Sequence, residues 1–413
     1  MISKILNNKI CAGCGLCQSI YGEHKISVEL SNEGFYRPNV KQKLNKNEER
    51  LLSLVCPAVS VKKEKTKSPK KDFIWGEMFS TIICSSSDEE IRLEASSGGG
   101  ISTLLVFLLN NKKVDAVIQI GASKEIPYLN EVKISTSRSE IIENANSRYA
   151  PSAPLKNILE NIKEHNSYAI VGKPCDIAAL RQYSNFNSEV KNKIKYYISF
   201  FCAGVPSLHA TTDIINSMDL KIENIESVSY RKDGWPGFFK ITDKAKRVFK
   251  LSYSLTWMKL LGPRVQFRCK LCADGIGHFA DVVCADAWED FDKSGFPTFK
   301  NAPGKSLLIS RTEKGEELVQ EALNQKDLIF YQSIADFREI DKMQPGQFFV
   351  ERDNHYCQSN HKSSSHQHRI NRTVEKHFEG KLITTQNAEG KFESSPIKSP
   401  FKRQIILLVS IML

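Results

Sequence analysis

The sequence predicts an α/β protein of the α+β kind, with a small cysteine-bracketed N-terminal module leading into a mixed-sheet core. Three observations carry this. Cysteines cluster in the first sixty residues, apolar strand-like runs alternate with helical periodicities from about residue 73, and a hairpin-like stretch breaks that alternation at 226–253. A chain of 413 residues has room for two or three domains.

The elements follow in order. Residues 1–61 form the first module. Residues 62–72 read as a basic linker, because 62–71 hold six Lys and one Glu. The core spans 73–345. In it, Ser96-Ser97-Gly98-Gly99-Gly100 opens an apolar helix to about Asn110, and Val114–Ile120 reads as a buried strand. Leu155–Glu164 has helical periodicity. Tyr168–Val171 reads as a strand running through Gly172-Lys173-Pro174-Cys175 into a helix. Tyr196–Phe201 is a further strand, ending at Cys202, with a helix from about Ser207. Ser227–Arg231, Phe238–Thr242 and Val248–Tyr253, split by Gly-Trp-Pro-Gly and a charged turn, predict antiparallel strands. Asp281–Cys284, Ser306–Ile309 and Leu328–Tyr331 are strands, and Glu313–Gln325 is an amphipathic helix. Residues 346–413 form a polar, His-rich linker and a tail ending in the apolar run Ile405–Leu413.

Composition narrows the function classes. Apolar residues at 41% with 25% charge are ordinary for a globular protein. Net charge is +11, yet there is no zinc-finger spacing, basic recognition helix or aromatic–basic RNA signature, so no nucleic-acid partner is expected. The charge suits anionic small molecules or acidic carrier proteins better. No apolar run is long enough to span a bilayer, and Met1–Lys9 lacks a secretory apolar core, so a cytoplasmic location is expected. Eleven cysteines in such a chain, grouped in short motifs, point to ligation rather than disulfides.

Cys11-Ala12-Gly13-Cys14-Gly15-Leu16-Cys17 is a Cys-x2-Cys-x2-Cys run. Ferredoxins use such runs for 4Fe-4S clusters, with a cysteine three residues on serving a second cluster. Tyr21 and Gly22 occupy that region here, and the distant Cys56-Pro57 supplies the fourth thiolate of a single cluster. Glycines at 13 and 15 allow close backbone approach and N–H bonds to sulfur. A zinc knuckle would favour paired Cys-x2-Cys or Cys/His motifs.

A second set is Cys175, Cys202 and the pair Cys269-x2-Cys272. Strand ends of an α/β sheet converge on one edge, so these four are candidates for a second 4Fe-4S cluster. Cys284 is the substitute should one fail, and a redox or nucleophilic role for Cys175 is the alternative. Cys84, Cys284 and Cys357 otherwise read as structural thiols. Four histidines and Cys357 within 352–373 lack regular ligand spacing and read as a polar linker.

Ser96, Ser97, Gly98 and Gly99 before an apolar helix offer N–H groups and hydroxyls that suit a cofactor pyrophosphate or a flavin ring edge. A plain glycine-rich helix entry is the alternative. The motif is neither a dinucleotide fingerprint nor a P-loop.

Taken in order, several motifs resemble the β subunit of coenzyme F420-reducing hydrogenase and dehydrogenase over about residues 8–345. They are the N-terminal cysteine run, Cys-Pro, Ser-Ser-Gly-Gly-Gly, Ser147-Arg148-Tyr149, Gly172–Arg181, Phe201–Gly204, Arg268–Asp274 and Ala280–Trp288. The resemblance implies FAD, one or two 4Fe-4S clusters and electron exchange with a small redox substrate. Carried over, Ser96, Ser97, Gly98, Gly99 and Tyr149 are flavin-site residues, and Cys175, Cys202, Cys269 and Cys272 ligate the inner cluster. Ala285 departs from the family's usual glycine, placing a methyl at that motif.

The expected function is an iron–sulfur flavoprotein oxidoreductase. It passes electrons between a ferredoxin-like carrier, or a partner redox subunit, and a small-molecule redox substrate. An electron-relay subunit, a reductase associated with polysaccharide synthesis that does not use coenzyme F420, and a zinc-stapled scaffold without turnover are the alternatives.

Overall fold

The computed structural model describes residues 1–61, 68–272 and 274–351. The basic run at 62–67, the His-rich segment with Cys357, and the apolar C-terminal run lie outside the described residues.

The N-terminal segment holds a hairpin of β1 (Ile26–Leu30) and β2 (Tyr36–Val40) and a capped helix Lys46–Val55. Asn45 and Glu48 close a reciprocal capping box there, and the helix ends at Cys56. Next comes a short hairpin of β3 (Lys70–Asp72) and β4 (Gly76–Met78), so part of the expected linker is strand.

The remaining strands are β5 (Thr81–Ser86), β6 (Ala116–Ala122), β7 (Asn130–Ser135), β8 (Tyr168–Val171), β9 (Ile194–Phe200), β10 (Ile225–Lys232), β11 (Phe238–Asp243), β12 (Val248–Ser252), β13 (Val282–Asp286), β14 (Ser306–Ser310) and β15 (Leu328–Ser333). Eight of them form one mixed sheet in the order β15-β5-β14-β13-β9-β8-β6-β7. Its centre is parallel, β13 beside β9, β9 beside β8 and β8 beside β6, and antiparallel strands flank it on both sides. β10, β11 and β12 make a separate antiparallel sheet, as the hairpin-like stretch predicts.

The central strands are buried on both faces, which explains their continuous apolar runs. One face, carrying Val117, Ala169, Ile198 and Val282, packs under the helices Gly100–Asn110 and Glu313–Asn324. The other face, carrying Ile118, Ile170 and Val283, packs under the helix Pro174–Ser184. Leu16 and Val55 belong to that second cluster, so the N-terminal segment shares apolar contacts with the core. Gln182 Nε2 donates to the carbonyls of Val55 (3.3 Å) and Ser60 (3.1 Å), and Leu155 N donates to Cys14 O at 2.9 Å. Among the described residues, no helix is long and apolar enough to cross a membrane.

The predicted helix over Leu155–Glu164 shrinks to Ile158–Asn161. Leu155 is bonded to Cys14, and a side chain added at Gly15 would lie 2.6 Å from Lys156 N, so contact with the cysteine loop claims the first turn.

Candidate functional site

The cysteine loop 11–17 and the helix end at Cys56 face one cavity. Cys11, Cys14, Cys17 and Cys56 line it together with Ile2, Leu16, Val28, Leu52 and Val55. Gly13 and Gly15, both at positive φ, let the loop fold tightly, and Gly13 N donates to Cys11 Sγ at 3.4 Å. Burial, then Asp176, raises the Cys14 thiol well above its ordinary pKa. Burial, then Cys11, raises Cys17, and the same two causes push Cys56 up to about 11. Backbone N–H groups at Leu16, Gln18, Ala58 and Val59 oppose these shifts. Thiols crowded in an apolar wall resist ionising, because burial disfavours the thiolate. Among the described residues, no three His, Cys, Asp or Glu side chains are arranged to hold a single metal ion.

The second thiol set forms at the carboxyl ends of two neighbouring parallel strands. β8 leads through Gly172 to Cys175, at the start of the helix Pro174–Ser184, and β9 leads to Cys202. Gly172 N donates to Ile198 O (3.2 Å), and Ser199 Oγ donates to Gly172 O (2.9 Å), which locks the two strand ends together. Cys269 and Cys272 arrive on the 3-10 turn Phe267–Leu271 and the residue after it. Gln266 N bonds Val205 O and Cys202 N bonds Gly275 O, both at 2.9 Å, so the turn is fastened across the β9 end. Gly204, at φ +119°, lies so near that an added Cβ would be 3.1 Å from Cys269 Cβ. Gln266 Nε2 approaches Cys269 Sγ at 3.5 Å, and the Cys272 thiol donates to Asp274 O at 3.2 Å. Burial is the first cause that raises Cys175, pushes Cys202 up to about 12 and raises Cys272 well above the ordinary thiol value. The substitute candidate, Cys284, instead packs with Cys84 in the apolar cluster under the Gly100–Asn110 helix.

Charged side chains also join this region. Lys173 and Asp176 form a buried ion pair at 2.7 Å, and Lys173 Nζ also donates to Ser152 Oγ at 2.8 Å. Burial opposes the Lys173 charge, but Asp176 and Cys175 outweigh it and raise the group. Asp176 is in Coulombic reach of Cys14, Cys175 and Cys202.

Ser96, Ser97, Gly98 and Gly99 sit against the start of β14. Ser97 Oγ donates to Lys305 O at 2.8 Å, and an added Cβ at Gly98 would fall 2.5 Å from Ser306 N. Gly99 takes φ +80° at the helix entry. Ser96 Oγ accepts from Ser147 N at 2.6 Å and donates to Arg231 O at 3.4 Å. Tyr149 packs on Trp257 at 4.7 Å between ring centres, where Thr256–Leu261 winds as a π-helix, a form frequent at functional sites. Through the Ser96 bond to its carbonyl, the helix entry adjoins the main chain of Arg231. Its guanidinium lies 4.6 Å from the Tyr253 ring centre and pairs with Asp286, which also accepts from Trp235 Nε1 at 2.8 Å. The Ala285 methyl joins the apolar cluster of Trp75, Leu307 and Ile309. The residues missed here, Arg231 and Asp286, are 55 positions apart and only the fold joins them.

The fold is that of an α/β protein with a large mixed sheet, one cysteine group lining the N-terminal cavity and a second at the carboxyl ends of β8 and β9. Two family models of the coenzyme F420 hydrogenase/dehydrogenase beta subunit match the chain, the N-terminal one over residues 81–160 and the C-terminal one over residues 165–335. The chain belongs to the coenzyme F420 hydrogenase/dehydrogenase β-subunit family. It is 24% identical to a coenzyme F420-dependent sulfite reductase of Methanocaldococcus jannaschii over 82% of its own residues, and spans 50% of that relative's length. It is 22% identical to a coenzyme F420 hydrogenase subunit beta of Methanothermobacter thermautotrophicus, over 66% of this chain and 88% of that one. Its fold matches a chain of the F420-reducing NiFe hydrogenase complex from Methanosarcina barkeri, with TM-score 0.52 and 18% identity, covering 74% of this chain and 94% of that one.

Proposed function

We propose that the chain is an iron–sulfur flavoprotein oxidoreductase with a ferredoxin-like N-terminal module and a flavin-binding core. The observation that carries the reading is the convergence of eight cysteines into two sets, one ringing an apolar cavity and one at adjoining strand ends. Four sulfurs, apolar walls and peptide N–H groups suit a 4Fe-4S cluster in each set. Bound there, such clusters would relay single electrons to an FAD that exchanges electron pairs with a small redox substrate.

The chain's own residues do the positioning. Gln182 fixes the backbone on either side of Cys56 from the same helix that starts at Cys175. The seven residue steps from Cys175 to Gln182 span about 10 Å of helix, so one rigid element sets the spacing of the two thiol sets. The neighbourhood of Ser96, Tyr149 and the paired Arg231 and Asp286 would receive the flavin. Low-potential carrier proteins or a partner redox subunit supply the electrons, in keeping with relatives that are named as subunits.

Anaerobic purification followed by iron, sulfide and flavin analysis, then reoxidation of the reduced protein by candidate acceptors, tests the proposal. Iron, sulfide and flavin in the preparation, with acceptor-dependent reoxidation, are expected. A colourless protein carrying one zinc per chain and no flavin would overturn it.

A further inference from the structure

Two helical pieces close the described chain, Arg338–Met343 and residues 345–351. Ile340 and Met343 pack with Ile276, Leu307 and Ile309 in one apolar cluster, which fixes the segment against the sheet. Gln344, Gln347 and Glu351 follow at spacings of three and four, so they share one face. That face is polar yet turned inward, with Gln347 7% and Glu351 1% exposed. Glutamate is almost never so buried unless a specific partner holds it. The partners here are backbone groups of two site motifs. Gln344 Nε2 donates to Asp286 O at 2.6 Å, and Glu351 Oε1 accepts from Gly275 N at 2.8 Å.

Gly275 is the point where this segment meets the inner cysteines. Its N–H is held by Glu351, and its carbonyl accepts from Cys202 N at 2.9 Å. An added Cβ there would lie 2.7 Å from Gln347 Oε1, 3.2 Å from Glu351 Oε1 and 3.5 Å from Cys202 O, so the segment and Cys202 flank the same residue. A second route reaches Cys202 from the same segment. Asp341 Oδ1 accepts from Trp75 Nε1 at 2.8 Å, and the Trp75 ring stacks on Phe201, next to Cys202, at 5.7 Å between centres and 3° between planes.

We propose that residues 338–351 form a strap that positions the Cys175/Cys202/Cys269/Cys272 set, with Glu351 as the positioning residue acting through Gly275 on Cys202. This rests on the reading of those four thiols as one ligand set. Without the Glu351 oxygen, Gly275 N is a buried donor with no acceptor, and the peptide that holds Cys202 N is free to turn. A ligand set needs each sulfur held in place by groups outside the set. Glu351 touches neither the substrate nor the thiols in this account. Gln in its place keeps an acceptor oxygen for Gly275.

The test uses the full chain as wild type, E351A and E351Q, stripped of metal by a chelator under reducing conditions. Each is pulsed with iodoacetamide without denaturant, and labelling of each cysteine is read by peptide mass spectrometry. The readout is the labelling rate of Cys202 relative to Cys11 and Cys17, which belong to the other set and cancel any general loosening. E351A is expected to raise that ratio about tenfold, and E351Q to stay within about twofold of wild type. An unchanged ratio in E351A, a rise shared equally by all three cysteines, or an E351Q as labelled as E351A overturns the strap. Should E351A not fold, G275A decides by the same ratio, because its methyl meets the side-chain oxygens of Gln347 and Glu351 and displaces them. A rise of similar size in G275A supports the strap, and a wild-type ratio overturns it. Iron and sulfide are measured on the same proteins purified without oxygen. Wild type without either overturns the two-cluster reading, while the labelling ratio still decides the strap.

Discussion

The Arg231 guanidinium clamps the Asp286 carboxylate with two hydrogen bonds, of 2.9 and 3.0 Å, joining the small antiparallel sheet to the carboxyl end of β13. Burial opposes the arginine's charge, but Asp286 and then Tyr149 outweigh it and raise the group well above its ordinary value. Replacing Asp286 by Ala leaves a buried cation unpaired. The expected loss is about 3 kcal/mol of stability, read from urea denaturation followed by tryptophan fluorescence. On the proposed function, flavin content should fall with it, because Ser96 bonds the main chain of the same arginine.

Two glycine substitutions should act in opposite directions. An alanine at Gly98 would drive its methyl into the backbone at Ser306 and Cys84 and push the Gly100–Asn110 helix off the sheet. G98A should cost about 1–3 kcal/mol, as overpacking does. Gly346 has open space around its missing Cβ and lies within a helical stretch, so G346A should add about 0.5–1 kcal/mol. Thermal unfolding of the two variants side by side checks both signs.

The Glu351 carboxyl, 1% exposed, accepts from Gly275 N at 2.8 Å. Burial, then the neighbouring Asp274, pushes its pKa up to about 8. The folded protein therefore holds a proton that the unfolded chain releases near pH 4.5, the ordinary value. That contribution to stability is fully present below pH 4.5, declines as pH rises, and is gone above about 8. E351Q should flatten the fall in denaturation midpoint between pH 5 and pH 8. An unchanged slope in the variant would assign the effect to another group.

Gln182 makes the hydrogen bonds that hold the backbone flanking Cys56 to the core helix. Gln182→Leu preserves much of the volume and removes both bonds. Limited proteolysis should then release the N-terminal segment faster than in wild type, with the core fragment unchanged. A stability loss of about 1–3 kcal/mol accompanies it, the cost of leaving buried carbonyls unsatisfied.

Much of the fold is legible because the central strands are buried on both faces. Tyr168–Val171 is observed with the predicted bounds, and the helix Glu313–Asn324 and the strands β10 to β12 fall within a few residues of them. Elements whose pattern is set by neighbours are not legible. β2 carries Pro38, which argues against a strand until its hairpin partner β1 is known. The Leu155–Glu164 periodicity yields its first turn to Cys14. Among site residues, cysteine spacing is visible locally because a cluster needs closely spaced ligands. Cys175 and Cys202 need only the rule that adjacent strand ends converge. Asp176 and Asp286 lie inside recognisable motifs, but the clasp of Arg231 on Asp286 is not legible, since only the fold brings the two together.

If the two separate cysteine sets each hold an iron–sulfur centre, the two centres should be lost independently. The most direct measurement is iron and sulfide content, with electron paramagnetic resonance of the dithionite-reduced protein, for wild type, C56A and C272A purified without oxygen. About eight iron per wild-type chain and about half in each variant, each losing a different signal, are expected. Wild-type iron in C272A, or the loss of one shared signal in both variants, would contradict it.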